Sequence, residues 1–101
     1  MPYFLVTLRP TGEVERLDSH QAAHERFIDS LIERHLVLLG GDFAEPVEGV
    51  DAAYLLHCPS AREARALAGE DPLVREGVFA AEAVEWQLVG IDPEAIDPDL
   101  A

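Results

Sequence analysis

The sequence predicts an α+β fold whose elements run β, α, β, β, α, β. Three observations carry this reading: apolar strand-like runs near both ends, a segment of helical period after the first, and a capping box opening a second helix. From Tyr3 to Leu8 nearly every residue is apolar or β-branched, and Pro10, Thr11 and Gly12 stop the run as a turn. Ser19 to Arg34 is the first helix. Around Phe27, the residues Ala23, Ile28, Leu31 and Ile32 share one side, with Glu25, Arg26, Asp29 and Glu33 outside it. Asp18 or Ser19 is positioned to cap the first turn.

Leu36 to Phe43 is short and apolar, bounded by Glu45, Pro46 and Gly49, which makes it the second strand. Its glycines remove side chains where something approaches the backbone or the strand kinks. Asp51 to Cys58 is the third strand, ended by Pro59, and the turn formers between the two predict an antiparallel hairpin. Ser60 with Glu63 forms a capping box, so helix two begins at Ala61. It carries Ala61, Ala64, Leu67 and Ala68 on one face and ends near Gly69 and Pro72. Val78 to Val89 reads as a long strand, Val78, Ala80, Val84, Trp86 and Leu88 alternating with Phe79, Ala81, Glu85 and Gln87. Glu82 is the one break in the apolar face. Residues 1–90 thus form one domain, and 91–101, with two Asp-Pro steps, are an acidic extension. This order is the split βαβ arrangement of ferredoxin-like folds: a four-stranded antiparallel sheet with both helices on one face. The other face is left needing cover, which predicts a homodimer.

Composition bounds the function. A length of 101 residues, 49% of them apolar, is enough for one core without disulfides or metal. Cys58 is the only cysteine, and a lone thiol without a cleavable signal pattern points to the cytoplasm. Twenty acids stand against seven bases, for a formal charge of −13, and every base is an arginine. Arg9, Arg16, Arg26, Arg34, Arg62, Arg65 and Arg75 are scattered among acids, so there is no basic stripe to displace phosphate counterions. Nucleic acid and anionic membranes are disfavoured as partners. No apolar run approaches the length of a membrane span.

Among residues that carry chemistry, His24 lies within the apolar stripe of helix one, where a buried imidazole must be hydrogen-bonded on at least one nitrogen. It is either a core histidine held by a backbone carbonyl or a general base held by a carboxylate. His20 stands four residues earlier and His35 near the far end of the same face. A catalytic metal needs about three protein ligands, HExxH is absent, and no metal site is expected. His57 reads as a packed or partly solvated strand residue. Asp71 follows a helix already ended by Gly69 and precedes a proline, the setting of a turn former. Arg9 is a surface charge or a contact for an anionic substrate group. Cys58 has no neighbouring base and reads as an apolar filler. The P-loop, G-x-G-x-x-G, C-x-x-C and G-x-S-x-G motifs are missing.

Taken together, Tyr3 to Val6 with Arg9-Pro10, His24 with Phe27, Ile28 and Leu31, Leu38 to Phe43, Ser60 with Glu63-Ala64, Asp71-Pro72, and Gly77 to Phe79 leading to Trp86 resemble the YciI-like, or YCII-related, family. These are small proteins of the dimeric α+β barrel superfamily, and the likeness covers nearly the whole chain. Asp42 departs from the proline frequent at that position, and the acidic tail is an addition. The resemblance implies that His24 and Asp71 form an acid–base pair. Related barrels include isomerases, dehydrochlorinase-type lyases and monooxygenases that act on small cyclic or aromatic compounds without metal or organic cofactor. Two functions follow. One is a cofactor-independent enzyme, with His24 taking a proton and Asp71 orienting the imidazole. The other is a non-catalytic dimeric module that binds a small ligand or a protein. Arg9, Gly41, Phe43 and Ser60 are the candidate substrate contacts, and the pair is expected at the edge of a mostly apolar pocket.

Overall fold

The computed structural model describes residues 1–12 and 17–100, so Arg16 of the arginine set and Ala101 at the tail lie outside the described residues. The chain runs β1 (Tyr3–Pro10), α1 (Leu17–Glu33), β2 (Val37–Val47), β3 (Val50–His57), α2 (Ala61–Gly69), α3 (Pro72–Arg75) and β4 (Phe79–Trp86). The four strands form one sheet in the order β2-β3-β1-β4, each neighbour antiparallel to the next. This is the predicted ferredoxin-like α+β arrangement. Strand alternation sends Phe4, Val6 and Leu8 of β1, and Ala52, Tyr54 and Leu56 of β3, toward the helices. There they form a core with Leu31 of α1 and Ala64 and Ala68 of α2.

Several boundaries differ from the sequence expectation, each for a local reason. Helix α1 starts two residues earlier than expected, which puts Asp18 and Ser19 inside its first turn instead of at its cap. It is closed by the turn at His35, whose φ is 59°. The Leu36 N–H donates to the Leu31 carbonyl at 2.9 Å and the His35 N–H to the Ile32 carbonyl at 3.0 Å, a closing pattern in which glycine more often stands. Strand β2 runs on through Pro46, which an edge strand tolerates because no ladder bond is lost on its open side. Glu48 and Gly49, both at positive φ (50° and 84°), make the two-residue turn into β3. Strand β4 stops at Trp86, short of Val89. The tail holds two short 3₁₀ turns, Pro93–Ala95 and Pro98–Leu100, and is exposed.

Helix α2 begins as expected, with the Ser60 hydroxyl accepting from the Glu63 N–H at 3.2 Å. Ile32, placed by period on the buried side of α1, is half exposed. The sheet face away from the helices carries Tyr3 and Leu5 of β1, Leu39 of β2, and Val84 and Trp86 of β4. Leu39 is 58%, Val84 61% and Trp86 50% exposed. Leu5 stands opposite Val84 on one side and Leu55 on the other, and Tyr3 stacks on His57 with ring centroids 4.6 Å apart. Among the described residues no helix is long and apolar enough to cross a membrane.

Candidate active site

The short helix α3 was not expected from the sequence, and it is what puts Asp71 to use. Asp71 stands at its N-cap, and the Leu73 N–H donates to Oδ1 at 2.9 Å. The turn-former reading is therefore correct for one oxygen. The other oxygen, Oδ2, lies 2.7 Å from Nδ1 of His24, because α3 packs against α1. Asp71 is fully buried and the His24 side chain is 15% exposed. An ionised carboxylate only accepts, so Nδ1–H of His24 donates to Oδ2. In the neutral imidazole the lone pair is then on Nε2.

His24 lines a cleft of about 310 Å³ between α1 and β2. Leu8, Ile28, Val37 and Tyr54 make its apolar wall, and the bare backbone of Gly40 and Gly41 makes part of its side. Glu25, Asp29 and Asp42 supply its charge, with no arginine among the described lining residues. A second depression of about 280 Å³ shares Gln21, His24, Asp42 and Ala52 with the first and is completed by Leu17, Phe43, Asp51, Leu73 and Phe79. His24 thus stands on the boundary between two hollows.

The candidate contacts divide accordingly. Gly41 lines the first hollow and Phe43 the second. Arg9 and Ser60 line neither. The Arg9 guanidinium donates to the Glu48 carbonyl and locks the β2–β3 turn, while the Ser60 hydroxyl caps α2. A Cβ at Gly49 would meet the Arg9 guanidinium at 2.7 Å, so glycine serves that contact as well as the positive φ. Among the described residues no three potential metal ligands from His, Cys, Asp and Glu gather together. Cys58 is buried, its burial pushes the thiol above its ordinary value, and its Sγ donates to the Ser60 carbonyl at 3.6 Å.

Sequence reasoning missed Tyr54. It is 4% exposed, lines the cleft, and its hydroxyl has no hydrogen-bond partner among the described residues. Burial first, and then the field of the Asp71 carboxylate, push its ionisation well above the ordinary phenol value. The available signal was parity. Tyr54 alternates with Ala52 and Leu56, so a polar tip had to enter the helix side of the sheet.

Residues 1–87 match the model of the YCII-related domain. The chain belongs to the YCII-related domain family. Among solved structures, this YCII-related chain is similar to TftG of Burkholderia phenoliruptrix AC1100, a 5-chloro-2-hydroxyhydroquinone dehydrochlorinase, in complex with 2,5-dihydroxybenzoquinone. The two share 18% identity and a TM-score of 0.68 over 84% of this chain and 93% of TftG, which establishes a common fold. No curated protein matches the chain.

Proposed function

We propose that the chain is a cofactor-independent lyase or isomerase that moves a proton on a small hydroxylated ring, with His24 as general base and Asp71 as its orienting carboxylate. The observation that carries this is the 2.7 Å contact between His24 Nδ1 and Asp71 Oδ2 on the wall of a cleft. Nε2 accepts a proton from a hydroxyl or an acidic carbon, and Asp71 stabilises the imidazolium that results. In an isomerase the proton returns to another atom of the same molecule. In a lyase it passes to solvent after the leaving group departs with its electron pair. Acid–base assistance of this kind contributes about 10²–10⁴-fold in rate.

The cleft supports a small substrate, since about 310 Å³ is near the lower end of ligand sites and suits a single ring. Its acidic rim of Glu25, Asp29 and Asp42 favours a neutral polyhydroxylated compound over a carboxylate. Gly41 and Phe43 contact that substrate, one in each hollow. TftG extends the reading to dehydrochlorination as the reaction to try first. The protein works as a cytoplasmic homodimer, in which the apolar sheet face bearing Val84 and Trp86 is covered by a second copy.

A second reading has its own observation. Because Oδ1 of Asp71 caps α3, the carboxylate has a structural reason to be there, and a non-catalytic ligand-binding or interaction module would keep it. Chloride release from 5-chloro-2-hydroxyhydroquinone under argon, with wild type and His24→Ala compared, separates the two. Turnover lost in the variant supports the enzyme. Saturable binding of the ring with no chloride release in either protein refutes it in favour of the module.

A further inference from the structure

Tyr54 is costly as it stands. A buried hydroxyl without a partner forfeits its hydration, and phenylalanine would fill the same space without that loss. The strand that covers it packs closely on its backbone. Gly40 pairs with Tyr54 across β2 and β3, and a Cβ there would fall 2.7 Å from the tyrosine Cβ and 3.2 Å from the Ala53 carbonyl oxygen. Glycine lets β2 close directly over the root of Tyr54. The ring then lines the cleft that His24 also lines, with the Asp71 carboxylate near enough to act on it.

We propose that the Tyr54 hydroxyl is a ligand-binding group of this cleft, donating a hydrogen bond to an oxygen of the bound ring, directly or through one buried water. The inference rests on the proposed function and extends it by naming the group that selects an oxygenated ligand. Its opposition to ionisation keeps the hydroxyl a donor throughout the physiological range. Closed to bulk water, the bond would face no solvent competition. Charge that develops on a ring oxygen as His24 removes a proton would strengthen it further.

The test uses the full chain and 2-hydroxyhydroquinone under argon, the dechlorinated ring that binds without a leaving group. Tyr54→Phe should weaken binding by about 5- to 100-fold in calorimetry, because the ligand no longer relieves an unsatisfied hydroxyl. Without ligand, the variant should melt no lower than wild type. Equal affinity in Tyr54→Phe, or a melting temperature lowered by more than about 4 °C, overturns the inference by showing that the hydroxyl does nothing for the ligand or has a partner inside the fold. The two readings fail separately. Weakened binding in Tyr54→Phe with chloride release intact in His24→Ala removes the proton-transfer reading and leaves this one. The reverse pattern removes this one alone. A wild type that takes up no ring removes both.

Discussion

Replacing Asp71 tests two bonds at once, because its two oxygens hold different parts of the molecule. In Asp71→Ala the Leu73 N–H loses its cap, which costs about 1 kcal/mol. The Nδ1–H of His24 also loses its acceptor. An orphaned buried donor costs about 1–3 kcal/mol, and the lower part of that range applies because the imidazole is 15% exposed and finds some water. The sum is about 2–3 kcal/mol, or a fall of roughly 10–20 °C in Tm for a domain of this size. Asp71→Asn differs in kind. Its amide oxygen keeps the cap, while its amide nitrogen donates to Nδ1 and forces the proton onto Nε2. The melting temperature should drop by only about 4–8 °C, for a loss near 1 kcal/mol. Turnover should fall by about 10²–10⁴ in both variants. Circular dichroism melts and chloride release measure the two quantities. An Ala variant melting within about 2 °C of wild type, or an Asn variant with full turnover, would refute the account of the pair.

Other outcomes follow from the same geometry. Light scattering at micromolar concentration should give a dimer, and Val84→Glu with Trp86→Glu should give a folded monomer; a monomeric wild type would sink the covered-face proposal. Gly40→Ala should destabilise by more than about 1 kcal/mol while Gly41→Ala, whose Cβ meets nothing within 4 Å, stays near neutral, and equal effects in urea melts would contradict the register. Tyr54 is raised above its ordinary 10.0 and Cys58 above its ordinary 9.0, so between those values and the folded ones the native state holds protons that the unfolded chain has released. Their contribution to stability is therefore full below about pH 9 and falls as pH rises, by up to about 1.4 kcal/mol per pH unit for each group. Urea titrations from pH 8 to 11 should show the slope lessened in Cys58→Ala and, toward the alkaline end, in Tyr54→Phe; slopes unchanged in both would refute the linkage. Deleting residues 91–101 should leave cooperative unfolding intact, and loss of cooperativity would make the tail part of the domain.

The fold was legible because its signals are periodic or chemical. Strand alternation in Phe4, Val6 and Leu8, the helical stripe through Phe27 and Leu31, and the Ser60 cap each act within a few residues. His24 was legible for the same reason, as an imidazole in the wrong phase for a charged face. Asp71 needed the family resemblance to become more than a turn former, since its partner is 47 positions away and a four-residue helix leaves little pattern. Tyr54 escaped notice because a tyrosine in an apolar strand is ordinary until its hydroxyl is found without a partner. Arg9 and Ser60, which line neither hollow, make local bonds instead. Both are polar residues at element ends, and there the backbone's own unpaired groups claim such side chains first.

The division of labour within one carboxylate also bears on how such a site drifts over generations. A lineage that abandons the chemistry loses its reason to keep the imidazole but retains, through the Leu73 bond, a folding reason to keep the aspartate. Selection can thus relax at one member of the pair and persist at the other. In kindred chains an aspartate at this point would mark only that the short helix is built the same way, whereas on the proposed reading a histidine opposite it would mark a working site.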